Sequence, residues 1–191
     1  MEISVRAQSM PESPIRKLAK YADAAKRNGI HVYHLNIGQP DIPTPPQALE
    51  AVKNFSQDIL SYSPSQGLKS LRTKMVSYYA DYGIDLSPDE IIITSGGSEA
   101  IMFAYMSCLN PGDEIIVTDP SYANYMAFAI SCGAVVKSVK THLEDGFKLP
   151  PVEEFEKQIT PKTRAILICN PNNPTGYLYT KQEMRQIRDL V

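Results

Sequence analysis

The chain has 191 residues, 43% of them hydrophobic, with 19 basic and 21 acidic side chains for a formal charge of −2. That balance excludes wholesale disorder and leaves no basic block for nucleic acid. No apolar run approaches the roughly 20 residues that span a bilayer, and residues 1–10 carry Glu2 and Arg6 rather than an apolar secretion signal.

In chain order, Ser13 is placed to cap a helix with Pro14 at its first position. Ile15, Leu18, Ala22 and Ala25 share one face of it, and Asn28-Gly29 stops it. A short extended segment, Val32 to Leu35, leads into the loop Asn36 to Pro43. Thr44 and Pro45 then predict the start of a second helix, with Ala48, Leu49, Val52 and Phe55 turned inward. After a turn over Tyr62 to Gly67, Leu68, Leu71, Met75, Val76, Tyr79 and Tyr82 form the apolar stripe of a third helix, closed by Gly83.

From there strands and helices alternate. Ile91 to Thr94, Glu114 to Thr118, Ala134 to Val139 and Ala165 to Cys169 read as strands. Ser98 to Leu109, Tyr122 to Cys132 and Pro151 to Ile159 read as helices. Thr180 and Glu183 form a capping box for a last helix, in which Met184, Ile187, Arg188 and Val191 stay in phase without a stop signal. Strands apolar on both faces and separated by helices predict an α/β fold with a parallel sheet covered on both sides. Three widely spaced cysteines, Cys108, Cys132 and Cys169, form no C-x-x-C pair and are expected to be reduced, buried thiols of a cytoplasmic protein. His31, His34 and His142 do not cluster, so no metal site is expected.

Ligands of open α/β sheets bind beyond the carboxyl ends of the strands. Three loops there carry unusual residues. In Ser95-Gly96-Gly97-Ser98, two glycines and a helix N-terminus either cradle a phosphate or make a tight turn. The absence of a following lysine excludes a Walker A loop. Tyr122, after Asp119-Pro120-Ser121, either stacks on a flat heterocycle or packs against protein. Asn173, between prolines 171 and 174, offers a held amide to a ring oxygen or closes an Asx turn.

These residues, with Asn36-Ile37-Gly38-Gln39-Pro40-Asp41, Tyr62, Gly67-Leu68, Leu71-Arg72, Pro111-Gly112-Asp113 and Asn172-Asn173-Pro174-Thr175-Gly176, occur in an order that resembles the N-terminal half of a class I aminotransferase. The family is the fold-type I pyridoxal-phosphate group that includes the aspartate aminotransferases. The resemblance implies an incomplete three-layer parallel-sheet large domain over residues 44–191, with residues 1–43 an arm belonging to the small domain. It implies that Gly96, Gly97 and Ser98 hold the phosphate of pyridoxal 5'-phosphate. Tyr122 stacks on the ring and Asn173 bonds the ring oxygen. Gly38 lies beside the substrate carboxylate. Tyr62 reaches the phosphate of a neighbouring subunit, so a homodimer is expected, with no nucleic-acid or membrane partner.

The implied activity moves an amino group between an amino acid and a 2-oxo acid. Family members are roughly twice this length, and their Schiff-base lysine falls beyond Val191. Lys69, Lys74 and Lys162 lie on predicted surfaces and are not expected to replace it. The chain alone is therefore expected to be inactive, with no catalytic residue of its own. The alternatives are a lyase or synthase of the same fold, such as a carbon–sulfur lyase or a cyclopropane-carboxylate synthase, and a non-catalytic truncated binding protein.

Overall fold

A computed structural model describes residues 2–13 and 16–190. Pro14, Ile15 and Val191, assigned above to a helix start, its apolar face and the last helix, lie outside the described residues. The elements in chain order are α1 (Val5–Gln8), α2 (Ala19–Arg27), α3 (Pro46–Lys53), α4 (Lys69–Ala80), α5 (Gly97–Cys108), β1 (Glu114–Asp119), α6 (Ala123–Ser131), β2 (Val135–Lys140), α7 (Val152–Glu156), β3 (Thr163–Leu167) and α8 (Lys181–Arg188). They fall into two compact units: the segment up to Leu18 together with the chain from Gly96 onward, and Ala19–Ser95.

The first unit is built on a parallel sheet of order β2-β1-β3. Central strand β1 is buried from Glu114 to Thr118, which is why its sequence shows no polar alternation. Successive side chains point to opposite faces. Ile115 joins Tyr105 and Leu109 from the α5 end and Ala129 of α6 on one side. Ile116 joins Phe155 of α7 and Ile187 of α8 on the other. The result is three layers, as expected. Ile115, Ile116 and Phe155 are at most 1% exposed, and each such burial stabilises by about 1.5–3 kcal/mol. α6 ends in a Schellman closure: Gly133 at φ 81 donates to the Ile130 carbonyl and Ala134 to the Ala129 carbonyl, both at 2.9 Å. Glu114, at the amino end of β1, accepts the Thr160 hydroxyl at 2.7 Å and lies 3.5 Å from Lys137 Nζ. The Thr160 bond leads in holding its carboxyl below the ordinary range, with Lys137 adding to it against the opposing effect of burial.

The second unit is organised around α4. Arg72 is buried on this helix and Met75, Val76 and Tyr79 are half-buried. The Arg72 guanidinium donates to the Gly67 carbonyl at 3.4 Å, to the Pro88 carbonyl, and to Asp89 Oδ1 at 3.3 Å. Ser87 and Glu90 form a capping box around the short turn Pro88–Glu90. Gly67 at φ 89 approaches Ile93 so closely that a Cβ on it would lie 2.5 Å from Ile93 Cβ.

Several expectations need correction. Ile91 to Thr94 is not a strand; the Ile93 N–H goes to the Gln66 carbonyl in a loop rather than to a neighbouring strand. Thr44 does not cap α3. Each residue preceding a proline is pushed to extended backbone, so Pro45 (ψ 130) becomes the N-cap and Pro46 begins the helix. The face of α3 expected to turn inward is exposed at Ala48, Leu49, Val52 and Phe55 alike, and the stripe of α4 is half-buried at Met75, Val76 and Tyr79 but exposed at Leu68, Leu71 and Tyr82. α7 stops at Glu156, and Thr160, which precedes Pro161, turns instead to Glu114. α8 closes at Arg188 with Asp189 as its C-cap rather than running on. Cys108 is exposed and Cys132 and Cys169 are intermediate, all free. Among the described residues no helix is long and apolar enough to cross a membrane.

Candidate functional site

The parallel strands send their carboxyl ends to one side of the first unit. β1 leads into Pro120, Ser121 and Tyr122, and β3 into residues 168–176. α5 reaches the amino end of β1 through the turn at Asn110–Asp113 and packs beside α6 on the sheet. Twelve residues of helix cover about 18 Å, close to the length of a six-residue strand, so the first turn of α5 lies toward the same carboxyl end.

At that end, Gly96 precedes α5 and Gly97 and Ser98 open it. The leading N–H groups of a helix have no intrahelical acceptor, and the helix dipole places partial positive charge there. No atom stands within 4 Å of where a Cβ would sit on either glycine, so the backbone is open to close approach. Ser98 is exposed.

Tyr122 is the N-cap of α6 and half-buried. Its hydroxyl accepts from Asn124 Nδ2 at 2.7 Å, and its ring meets that of Tyr125 edge-on at 5.4 Å. Burial, with the Cys169 thiol adding to it, pushes the Tyr125 phenol up to about 12, so it stays neutral. The Cys169 thiol donates to the Pro171 carbonyl at 3.3 Å.

Asn173 is exposed beside the buried Asn172. Asn172 Nδ2 donates to the Pro120 carbonyl at 3.1 Å and to Thr175 Oγ1 at 2.9 Å. This amide binds the loop after β3 to the loop after β1. Below it, the Tyr179 N–H donates to Asn170 Oδ1 at 3.0 Å, and the Tyr179 hydroxyl lies 3.4 Å from Thr118 Oγ1.

The structure thus brings Gly96, Gly97, Ser98, Tyr122 and Asn173 to one end of one unit. Gly38 and Tyr62 belong to the second unit, both exposed, Tyr62 fully so. Sequence reasoning missed Asn172 and Tyr179. Two adjacent asparagines in Asn-Pro-Asn-Asn-Pro look alike as letters; only the fold shows which one turns inward.

Comparison with known proteins gives the family and the fold. The family model described as aminotransferase class I and II matches residues 30–191. An aspartate aminotransferase of Thermotoga maritima is 36% identical over 182 residues, covering 94% of this chain and 48% of that protein. An aspartate/prephenate aminotransferase of Thermus thermophilus is 33% identical over 191 residues, covering 99% and 49%. A crystal structure of Thermotoga maritima aspartate aminotransferase superposes with a TM-score of 0.91 at 34% identity, covering 98% of this chain and 50% of that one. The chain spans about half the length of the relatives it matches. By family model, identity and superposition together, the chain belongs to the class I and II aminotransferases.

Proposed function

We propose that this chain supplies the phosphate-binding and ring-binding half of an aminotransferase that uses pyridoxal 5'-phosphate to move an amino group between an amino acid and a 2-oxo acid. The observation that carries the reading is the open Gly96-Gly97-Ser98 turn at the head of α5, at the same sheet end as Tyr122 and Asn173. The residues fit a phosphate ester beside a flat heterocycle. The space above both glycines admits phosphate oxygens to the N–H groups of Gly97 and Ser98, and the Ser98 hydroxyl adds a donor.

When bound, the cofactor supplies an electron sink for the α-carbon of an amino acid. The chain's own residues bind and orient. Gly97 and Ser98 neutralise the phosphate with oriented dipoles. Tyr122 offers an aromatic face to the ring. Asn173 donates its amide to the ring oxygen and so favours that oxygen's ionised form. Gly38 leaves backbone open for a substrate carboxylate, and Tyr62 reaches the phosphate of a second subunit in a cytoplasmic homodimer. Residues 1–43 serve as an arm of the small domain, and residues 44–191 as part of the large one.

None of these groups moves a proton at the substrate. Lys162 sits at the amino end of the sheet, its carbonyl accepting from Glu114 N–H at 2.8 Å, opposite the candidate site. The lysine that carries the cofactor is assigned to the part of the relatives' length that this chain does not span.

The test is product analysis on the complete protein supplied with cofactor, an amino acid and a 2-oxo acid. A new amino acid with a matching new 2-oxo acid supports transfer. Release of ammonia or thiol instead identifies a lyase and refutes it. The 191-residue chain alone should show no turnover.

A further inference from the structure

Two loops carry the side chains assigned above to the cofactor ring, Tyr122 on one and Asn173 on the other. Their stems are braced by Tyr179, whose hydroxyl meets Thr118 and whose N–H donates to Asn170. Their tips are joined by Asn172. Its side chain is buried, with the residue 6% exposed, and Nδ2 donates to the Pro120 carbonyl and to Thr175 Oγ1. Its main chain is fixed as well: the N–H donates to the Tyr177 carbonyl at 2.8 Å, and the carbonyl accepts from Gly176 N–H at 2.7 Å.

The Pro120 carbonyl only accepts, so it determines which end of the amide faces it. Oδ1 is then turned away, buried and without a partner among the described residues. A buried polar atom left unpaired is a cost that an apolar side chain of similar size would avoid. The donation across the two loops is what that cost sustains. Pro120 lies two residues before Tyr122, and Asn172 lies one residue before Asn173. One amide therefore sets the spacing between the two ring-binding side chains.

We propose that Asn172 is a positioning residue for the cofactor ring, holding Asn173 in register with Tyr122; the inference rests on the assignment of those two residues above. It touches neither cofactor nor substrate. Its effect passes through the geometry of the Asn173 amide, and sites of this kind tolerate displacements of only about 0.5 Å.

The pH midpoint of the cofactor's visible absorption band, measured on the complete protein loaded with pyridoxal phosphate, reads the donor at the ring oxygen. Losing that donor disfavours the ionised oxygen, so Asn173→Ala should raise the midpoint. Asn172→Leu removes both donations without adding charge and should raise it in the same direction, by about 0.5 unit or more. The thermal midpoint of the cofactor-free protein is measured beside it. A lowered thermal midpoint with an unmoved band in Asn172→Leu means a purely structural residue and overturns the proposal. An unmoved band in Asn173→Ala overturns the assignment of Asn173, and this inference with it. If Asn172→Leu does not fold, Asn172→Ala, which removes the donation to Pro120 with a smaller side chain, decides by the same criteria.

Discussion

The Tyr177 hydroxyl donates to Glu183 Oε1 at 2.9 Å, tying the loop after β3 to the first turn of α8. The same carboxylate accepts the Leu149 N–H at 3.2 Å and, through Oε2, the Thr180 N–H and hydroxyl at 2.7 Å each. A capping box thus doubles as the anchor of two loops.

Burial alone pushes the Glu183 carboxyl up, but the donors from Thr180, Tyr177 and Leu149 outweigh it and hold the group below its ordinary value of 4.5. A depressed folded value means the stabilisation is present above the unfolded value and is lost as pH falls through the folded one. Glu183→Gln should therefore destabilise by about 1–2 kcal/mol near neutrality. The gap between thermal melts of the two proteins, followed from pH 7 down to pH 3, should narrow as pH falls below the ordinary carboxyl value of 4.5. A gap that stays constant across that range would show that the charge plays no part.

Arg72 allows two contributions to be separated by magnitude. Its side chain is 7% exposed, whereas that of Asp89 is 88% exposed. An ion pair to so exposed a carboxylate contributes little, so the bonds to the Gly67 and Pro88 carbonyls should dominate. Asp89→Asn is expected to cost less than about 0.5 kcal/mol, and Arg72→Met about 1–3 kcal/mol because the carbonyls of half-buried Gly67 and Pro88 lose their donor. Arg72→Lys should not restore stability, since one ammonium cannot span both carbonyls as a planar fork does. Urea titration of the three variants checks the order, and an Asp89→Asn cost equal to that of Arg72→Met would reverse the argument.

Gly67 and Gly83 have similar backbone, at φ 89 and φ 72, but different surroundings. Nothing lies within 4 Å of where a Cβ would sit on Gly83, whereas at Gly67 that position overlaps Ile93 Cβ. Gly83→Ala should cost about 1–2 kcal/mol, the strain of a left-handed alanine. Gly67→Ala carries that strain plus the overlap and should be the more damaging by about 1–3 kcal/mol. Ile93→Ala should fail to rescue it, because Cβ itself is the obstacle. Rescue to the Gly83→Ala level in chemical denaturation would disprove the close approach.

Where the sequence was legible, one cause acted locally. The Thr180–Glu183 capping box, the closures at Gly29 and Gly83 and the apolar run of β1 are each decided by neighbours in the chain. It failed locally at Thr44, where the adjacent prolines moved the cap to Pro45; elsewhere the cause was a partner distant in sequence. Ile91 to Thr94 has strand-forming residues but pairs with no strand among the described residues. Arg72 is buried because two carbonyls await it, which no helical periodicity reveals. At the candidate site, Tyr122 and Asn173 could be picked out as residues following strands, and Gly96, Gly97 and Ser98 as a glycine turn that opens a helix. Asn172 could not, since its role depends on Pro120, 52 positions away.

The second unit leaves much apolar surface in water. Leu35 is 94% exposed, Ile42 82%, Leu60 80%, Ile59 79% and Val52 77%. Single exposed apolar side chains are common, but so many within one segment of a chain exceed what soluble monomers ordinarily present. At about 25 cal/mol per Å², even partial covering of these side chains favours association over solvation. The 191-residue chain made alone should therefore elute above its 21.2 kDa monomer mass and bind a hydrophobic dye. Replacing Leu60, Ile59 and Val52 together by Ser should reduce both signals without altering the far-ultraviolet circular dichroism, since none of the three is buried. Light scattering at several concentrations gives the decisive reading. A concentration-independent monomer would mean that these side chains are covered in solution by a rearrangement of the second unit, and association through them would be refuted.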